Sequence, residues 1–470
     1  MRSWFNENTI ILTFAAFTLT GCGVLKNYDR EKVAQPIETS GLYGDAQSGD
    51  SLGLGDIKWR ELFTDPKLQT LIERVLEQNT DMKNADLAIQ QIDYALTAAK
   101  WAFAPSINLS VNGNDSKIWD PYQRNDYKNI PNFKTYSVGL TMGWQNVNFL
   151  SLRNAKKAAE MSVEQAQAAK QAVQAKLVTS VATLYYTLAE LDANKELLEQ
   201  TKANWAEYLR MQRLLMDAGQ VNMAAVASIE ATYWSIAQRL VTVDDNIRII
   251  QNQLSTLLNQ PSITVDRNSL NTFRKPAIVE TGAPLRILAR RPDVRMAETA
   301  LATAFYDVNS AKSAFYPSLS LSATGSFGNS MGTKDINPGV FIGNAVAGLA
   351  QPIFQNGRLR ANLRISKAEL EVKANQFTNA IINAGNEVNT AMVKVKSAEE
   401  LREMINNQVN AQQTAYDATL KLFDGSSANY INVITAHNSL LQAKQNQISN
   451  RMESISAIIE LYLALGGGIE

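Results

Sequence analysis

A chain of 470 residues with 45% apolar content can bury a large core, and length alone suggests roughly two or three domains. Its 45 basic and 45 acidic side chains cancel, so no net field draws it to nucleic acid, and no nucleic-acid partner is expected. A single cysteine excludes an intrachain disulfide, which leaves packing and assembly as the sources of stability.

The N-terminus carries Arg2, then an apolar run from Ile10 to Leu19, then Leu19-Thr20-Gly21-Cys22. The run is too short to span a bilayer as a helix, and residues 1–21 read as a signal peptide. Cys22 has two readings, a small buried residue or the acceptor of a diacylglycerol. Its place after the run, behind small residues, resembles the bacterial lipobox, so a covalent lipid is expected on Cys22 and the mature chain is expected to begin there. One acyl chain anchors weakly, so durable attachment needs more chains or inserted protein. Residues 22–58 are rich in Gly, Ser, Asp and Gln and read as an irregular lipid-anchored strap.

From residue 59 the chain reads as one unit written twice, over 59–270 and 271–470. Ala104-Pro-Ser-Ile-Asn-Leu-Ser-Val-Asn-Gly113 is echoed by Tyr316-Pro-Ser-Leu-Ser-Leu-Ser-Ala-Thr-Gly325, Phe149 and Arg153 by Phe354 and Arg358, and Asn222 and Val226 by Asn429 and Val433. Asp65-Pro66 marks a helix start, because proline suits the first helical position, where its missing N–H would be unpaired anyway. A hairpin is expected at about 105–145: Ser106 to Gly113 and Ser137 to Trp144 alternate apolar with polar or small residues. Long helices follow over about 148–260. Between Leu150 and Asp217 there is neither proline nor glycine, which predicts a rod roughly 100 Å long at 1.5 Å per residue. Gly219 ends it. Apolar residues then fall at Ile229, Tyr233, Ile236, Leu240, Val243, Ile247, Ile250, Leu254 and Leu257, in steps of four and three that signal coiled-coil packing.

The second unit begins with Arg290-Arg291-Pro292-Asp293, read as a helix start with local ion pairing. A second hairpin is expected at about 316–351, with Ser318 to Gly328 alternating cleanly and Val340 to Ala350 ambiguous in its faces. Helices over about 355–465 turn at Gly425, and a second seam runs through Leu441, Ile448, Met452, Ile455, Ile459 and Tyr462. The one histidine, His437, has no Cys or His companions, so no metal is expected. No Ser-His-Asp arrangement, phosphate-cradling glycine loop or zinc spacing stands in the chain, and no enzyme is expected.

Period-two segments of about ten residues suit membrane-spanning strands, apolar toward lipid and polar toward a lumen; they also suit a half-buried sheet packed on a helix. The lipidation signal and the length of the rods favour the membrane. Four strands cannot close a barrel, and an open edge is not tolerated in lipid, so several chains must share one. Two chains would give eight strands and a filled lumen; three would give twelve and a channel.

Five motifs together resemble the TolC-like outer membrane factors, especially the lipoprotein branch of resistance-nodulation-division (RND) efflux systems. They are Trp59-Arg-Glu-Leu-Phe-Thr-Asp-Pro-Lys-Leu-Gln69, Arg290-Arg-Pro-Asp-Val-Arg-Met-Ala-Glu298, Tyr316-Pro-Ser-Leu-Ser320, Pro352-Ile-Phe-Gln-Asn-Gly-Arg-Leu-Arg-Ala361 and Leu461-Tyr-Leu-Ala-Leu-Gly-Gly-Gly468. The resemblance implies a mainly α protein with membrane β: a homotrimer whose twelve-stranded outer-membrane barrel continues as a coiled-coil periplasmic tunnel, with an equatorial domain holding the chain ends. It implies a periplasmic adaptor (membrane fusion) protein and an inner-membrane RND-type pump as partners, beside outer-membrane lipid. It places a gate at the periplasmic tip, at Ile431, Asn432 and Thr435, and sets the turns at Gly219 and Gly425 against the adaptor. Relatives commonly carry aspartate where Thr435 stands, so a ring of Ile431 would close the pore by apolar contact; the other reading is that these residues pack between helices. The implied function is a passive exit duct for small molecules. The rivals are the exit duct of a type I protein secretion system, a periplasmic coiled-coil scaffold lipoprotein without a barrel, and, weakest, a lipoprotein enzyme.

Overall fold

The computed structural model describes residues 26–33, 54–116, 133–276, 290–328, 340–424 and 430–469. Its elements in order are α1 (Arg30–Val33), α2 (Trp59–Leu62), α3 (Pro66–Gln78), α4 (Thr80–Trp101), β1 (Ser106–Ser116), β2 (Phe133–Val147), α5 (Phe149–Asp217), α6 (Met223–Leu257), α7 (Pro292–Ser313), β3 (Ser318–Gly328), β4 (Val340–Ala350), α8 (Arg358–Asp424) and α9 (Tyr430–Ala464), with short 3-10 turns at Leu54–Asp56 and Leu270–Thr272. The order α4-β1-β2-α5-α6 is thus followed by α7-β3-β4-α8-α9. Cys22, Gly425 and residues 117–132 and 329–339, which link β1 to β2 and β3 to β4, lie outside the described residues. Among the described residues no helix is long and apolar enough to cross a membrane.

The chain divides into two compact units, and each draws on both halves of the sequence. One comprises Met1–Gln35, Gln90–Gln165 and Glu298–Phe377 and contains the sheet. Its strands form a single antiparallel meander in the order β1-β2-β3-β4. The two hairpins expected separately are therefore joined, because β2 also pairs with β3, from Ser137 opposite Gly328 to Val147 opposite Leu319, with a bulge beyond Trp144. Strands β1 and β2 run past the expected ends, pairing Asn114, Asp115 and Ser116 with Thr135, Lys134 and Phe133. Alternation stops there because the residues turn polar, yet the backbone ladder continues.

The other unit comprises Pro36–Ile89, Ala166–Ala297 and Thr378–Glu470. Helix α3 starts where proline placed it: the Asp65 side chain accepts from Lys67 N at 2.9 Å, and Leu68, Leu71, Ile72 and Val75 form its buried stripe. Asp65 also ties distant parts together. Tyr185 Oη donates to its Oδ2 at 2.7 Å and Asn268 Nδ2 to its Oδ1 at 3.0 Å. The seams behave as coiled-coil positions should. Ile229, Ile236, Leu240 and Leu254 on α6 are buried, as are Leu441, Met452, Ile455, Ile459 and Tyr462 on α9, and α5 packs on both through Leu198, Trp205 and Leu209. Two helices, α5 with 69 residues and α8 with 67, each contribute to both units.

Arg291 does more than the local pairing expected of it. It bonds bidentately to Asp293 (3.0 and 2.7 Å), reaches Glu387 at 2.5 Å and donates to the carbonyl of Ala464 at 2.8 Å. Burial alone would raise the Asp293 carboxyl, but the Arg291 guanidinium outweighs it and holds the group below its ordinary value. One guanidinium thus fastens the start of α7 to the end of α9.

Candidate functional site

The first candidate surface is the sheet, where register sorts the side chains cleanly. Paired positions share a face, so Ile107, Met142, Ala323 and Ala345 form one rung, Leu109, Leu140, Gly325 and Gly343 the next, and Val111, Val138, Phe327 and Phe341 a third. The apolar side chains of these rungs are exposed, with Val111 at 72% and Leu140, on a central strand, at 54%. Phe341 leans over Gly325 and meets Phe327 at 5.2 Å between ring centroids, covering bare backbone on that face. The opposite face carries the rung Asn108, Thr141, Thr324 and Asn344, with the Thr141 and Thr324 hydroxyls 3.3 Å apart. The ambiguity of β4 is resolved here: Phe341 and Leu349 stand on the apolar face and Ile342 and Val346 on the other.

Glycine on the polar face of β2 is required by close approach. A Cβ at Gly143 would stand 2.3 Å from the Leu321 carbonyl oxygen, and one at Gly139 would stand 2.6 Å from Ser326 Cβ. The strands crowd together on this side, as they do where a sheet curls toward one face. Among the described residues both outer strands, β1 and β4, have one neighbour only. At the helical ends of the strands stand exposed Trp101, Phe149, Phe315 and Phe354.

The second candidate surface lies in the other unit, at the turn between α5 and α6 and the start of α9. Gly219 takes φ +72°, the left-handed conformation that an L side chain resists. Gly219 N bonds to Met216 O at 2.8 Å and Gln220 N to Leu215 O at 2.9 Å, the paired bonds of a Schellman helix end. Asn222 then caps α6, accepting from Ala225 N at 2.9 Å. On α9, Ile431 is 53% exposed, and Asn432 and Thr435 are exposed beside it. The opposite flank, Val433, His437 and Leu440, is buried.

Sequence reasoning found no role for His437, whose partners lie far away along the chain. Trp205 Nε1 donates to its Nδ1 at 3.2 Å, and the rings of Trp205 and Tyr416 stand edge-on at 5.1 and 5.2 Å. Burial, and next the nearby Lys444, lower its pKa to about 4. It is a neutral acceptor that locks α5 to α9. Since the unfolded side chain titrates near 6.5, acid protonates the unfolded state first, and stability should fall as pH drops from about 6.5 toward 4, by up to about 3 kcal/mol. Melting temperatures at pH 7 and pH 5 check this: the wild type should lose more than His437→Gln, which keeps an acceptor without the titration. Among the described residues, no three or more His, Cys, Asp or Glu side chains group as metal ligands would.

The profile of the family described as "Outer membrane efflux protein" matches residues 71–260 and 283–467. The chain is 29% identical to the cation efflux system protein CusC of Escherichia coli O6:H1, over 96% of this chain and 97% of that one. It is 26% identical to the toluene efflux pump outer membrane protein TtgC of Pseudomonas putida, over 98% and 96%. Among solved structures, a crystal structure of CusC superposes with a TM-score of 0.81 at 23% identity, covering 93% of this chain and 99% of that one. The open state of the Neisseria gonorrhoeae MtrE outer membrane channel superposes with a TM-score of 0.82 at 22% identity, covering 95% and 98%.

Proposed function

The chain belongs to the outer membrane efflux protein family, and from that premise we infer that it is a passive exit duct of an efflux pump, carrying small molecules across the periplasm and outer membrane. The observation that carries the reading is the four-stranded sheet, with one exposed apolar face, an opposite face that is polar along β1, β2 and β3, and two outer edges unpaired among the described residues. Lipid would accept the apolar face but not the edges. Three copies close the edges into a twelve-stranded barrel wide enough for a channel, lined by the rung that includes Asn108 and Thr141. A coiled-coil scaffold has no use for such a band, which favours the duct over that rival.

The rest of the reading follows from this trimer. Residues 22–58 are its strap, and 59–270 and 271–470 are two repeats, each giving two strands to the barrel and two long helices to the tunnel. Cys22 carries the lipid; labelled palmitate should enter the wild type and be lost from Cys22→Ser. With no catalytic role of its own, the protein draws its transport energy from an inner-membrane RND-type pump, reached through a periplasmic adaptor that meets the helical turns at Gly219 and Gly425. The printed names of CusC and TtgC differ in cargo, cations against toluene, so selection belongs to the pump.

Ile431, Asn432 and Thr435 form the periplasmic gate. A ring of three Ile431 side chains closes it by apolar contact and dewetting, while Thr435 supplies no charge. Trimming the isoleucine removes about two to three methylene equivalents per chain from that contact, each worth roughly 0.8 kcal/mol. Open probability of Ile431→Ala in planar bilayers should rise at least about tenfold. An unchanged open probability would remove Ile431 from the gate.

A further inference from the structure

The segment just after the lipidation position is docked on α7. Tyr28 N donates to Tyr306 Oη at 3.2 Å, the Tyr28 ring meets Phe305 edge-on at 6.0 Å, and Arg30 pairs with Glu298 and stacks over Phe377. Positions on α7 fall from 306 to 298 as the segment advances from 28 to 30, so the two run antiparallel. Followed back toward Cys22, the segment carries Lys26 toward the end of α7 that holds Lys312 and leads into β3, and Lys26 is close enough to act on the Lys312 charge.

Lys367, in the third turn of α8 behind β4, joins them: Ala311 and Ser366, the chain neighbours of Lys312 and Lys367, line one cavity. The Lys312 ammonium is depressed by burial first and then by repulsion from Lys367 and Lys26, as expected for cations that face one another. Among the described residues none of the three stands in an ion pair; Asp29, near Lys26 in the chain, pairs with Lys32. Asp307 and Glu369 line a cavity with Asn362 and Ile365 on another flank of α8, Glu369 pairs with Lys373 at 3.2 Å, and Glu371 stands one turn beyond Lys367 on the same helix. The three cations thus have no ion-pair partner among the described residues. On the duct reading, the exposed Phe315, three residues beyond Lys312, lies at the lipid boundary, as does the exposed Phe354 between β4 and α8. Lys26 is four residue steps from Cys22, a reach of at most about 14 Å.

Resting on the membrane-duct reading, we propose that Lys26, Lys312 and Lys367 form a site for the headgroup phosphate of an anionic phospholipid in the leaflet that holds the Cys22 acyl chains. Ammonium groups on flexible stems suit a phosphate that arrives on a mobile lipid, and a second negative charge is not needed to explain their number. A lipid fits better than free phosphate, because the exposed Phe315 near Lys312 has acyl chains to meet. The site would set the depth of the barrel at its helical end, with the covalent lipid and the bound one side by side.

The test is native mass spectrometry of the full-length, detergent-extracted protein titrated with phosphatidylglycerol or phosphatidylcholine. Phosphatidylglycerol should bind at least about tenfold more tightly, and the combined K26Q, K312Q and K367Q variant should lose that preference. The matching Lys→Arg variant should keep it, as should a variant with Lys83, Lys396 and Lys421 changed to Gln, which removes equal charge elsewhere. Equal binding of the two lipids, or an unaltered preference in the K26Q, K312Q and K367Q variant, would overturn the proposal. So would displacement of phosphatidylglycerol by millimolar inorganic phosphate, which would mark a free-anion site. Single-channel conductance of the same preparations separates this failure from that of the duct: channels that persist without lipid preference sink the lipid site alone.

Discussion

Leu140→Arg is expected to deplete the assembled protein from the outer membrane by at least about tenfold. Leu140 sits on a central strand, 54% exposed, between Leu109 and Gly325 on the apolar face. An arginine facing lipid near the bilayer midplane costs roughly 2–4 kcal/mol in a β-barrel, and a trimer carries the cost three times. Snorkelling lowers the cost near the interfaces, which is why the middle rung is the one to test. Asn108→Arg adds the same charge one rung away on the polar face. It should assemble normally and shift ion selectivity toward anions, since lumen substitutions tune permeation. Quantifying the trimer in outer-membrane fractions reads both variants. Equal amounts of wild type and Leu140→Arg would mean that this face does not meet lipid.

Arg291→Ala should destabilise the protein by about 3 kcal/mol, through a different mechanism. The Arg291 side chain is 8% exposed, while its partners Asp293 and Glu387 are 46% and 59% exposed. Once the guanidinium is gone both carboxylates can turn to water, so the loss falls at the lower end of the range for breaking a buried ion pair. The Ala464 carbonyl loses its Arg291 donor as well. Arg291→Lys should recover only part, because one ammonium cannot bridge three acceptors in the geometry of a planar fork. Denaturant midpoints measure the difference, and a change below about 1 kcal/mol would show that the α7–α9 clamp is held by packing alone.

How much of this was legible in the residues depends on how far apart the interacting groups lie. Local signals read well: proline at the start of α3, the four-three spacing on α6 and α9, and the glycine that closes α5 each act within a few positions. Strand alternation was legible where large apolar residues alternate with Ser and Asn, as at Ile107, Leu109 and Val111. It failed on β4, where Gly343 and Ala345 occupy the apolar face and Ile342 and Val346 the other, so that size runs against the pattern. Only the pairing with β3 decides that strand. Pairing between β2 and β3 joins segments from opposite halves of the chain and leaves no mark in either.

The same distance hides the buried polar contacts. Asp65-Pro66 reads as a helix start on the strength of the proline; Asp65 also caps that helix, and its bonds to Tyr185 and Asn268 depend on a fold that no local pattern encodes. His437 looked isolated because its donor, Trp205, lies on another helix. Arg291 read as local because Asp293 is two residues away, whereas Glu387 and Ala464 are reached only after α8 and α9 have packed.

The central claim is that chains share one barrel and that the barrel conducts. Single-channel recording of the purified protein in a planar bilayer, beside its mass by native mass spectrometry, tests it most directly. A trimeric mass with discrete channel openings is the predicted result. A non-conducting monomer or dimer, stable without detergent, would contradict the duct and leave a periplasmic coiled-coil scaffold in its place.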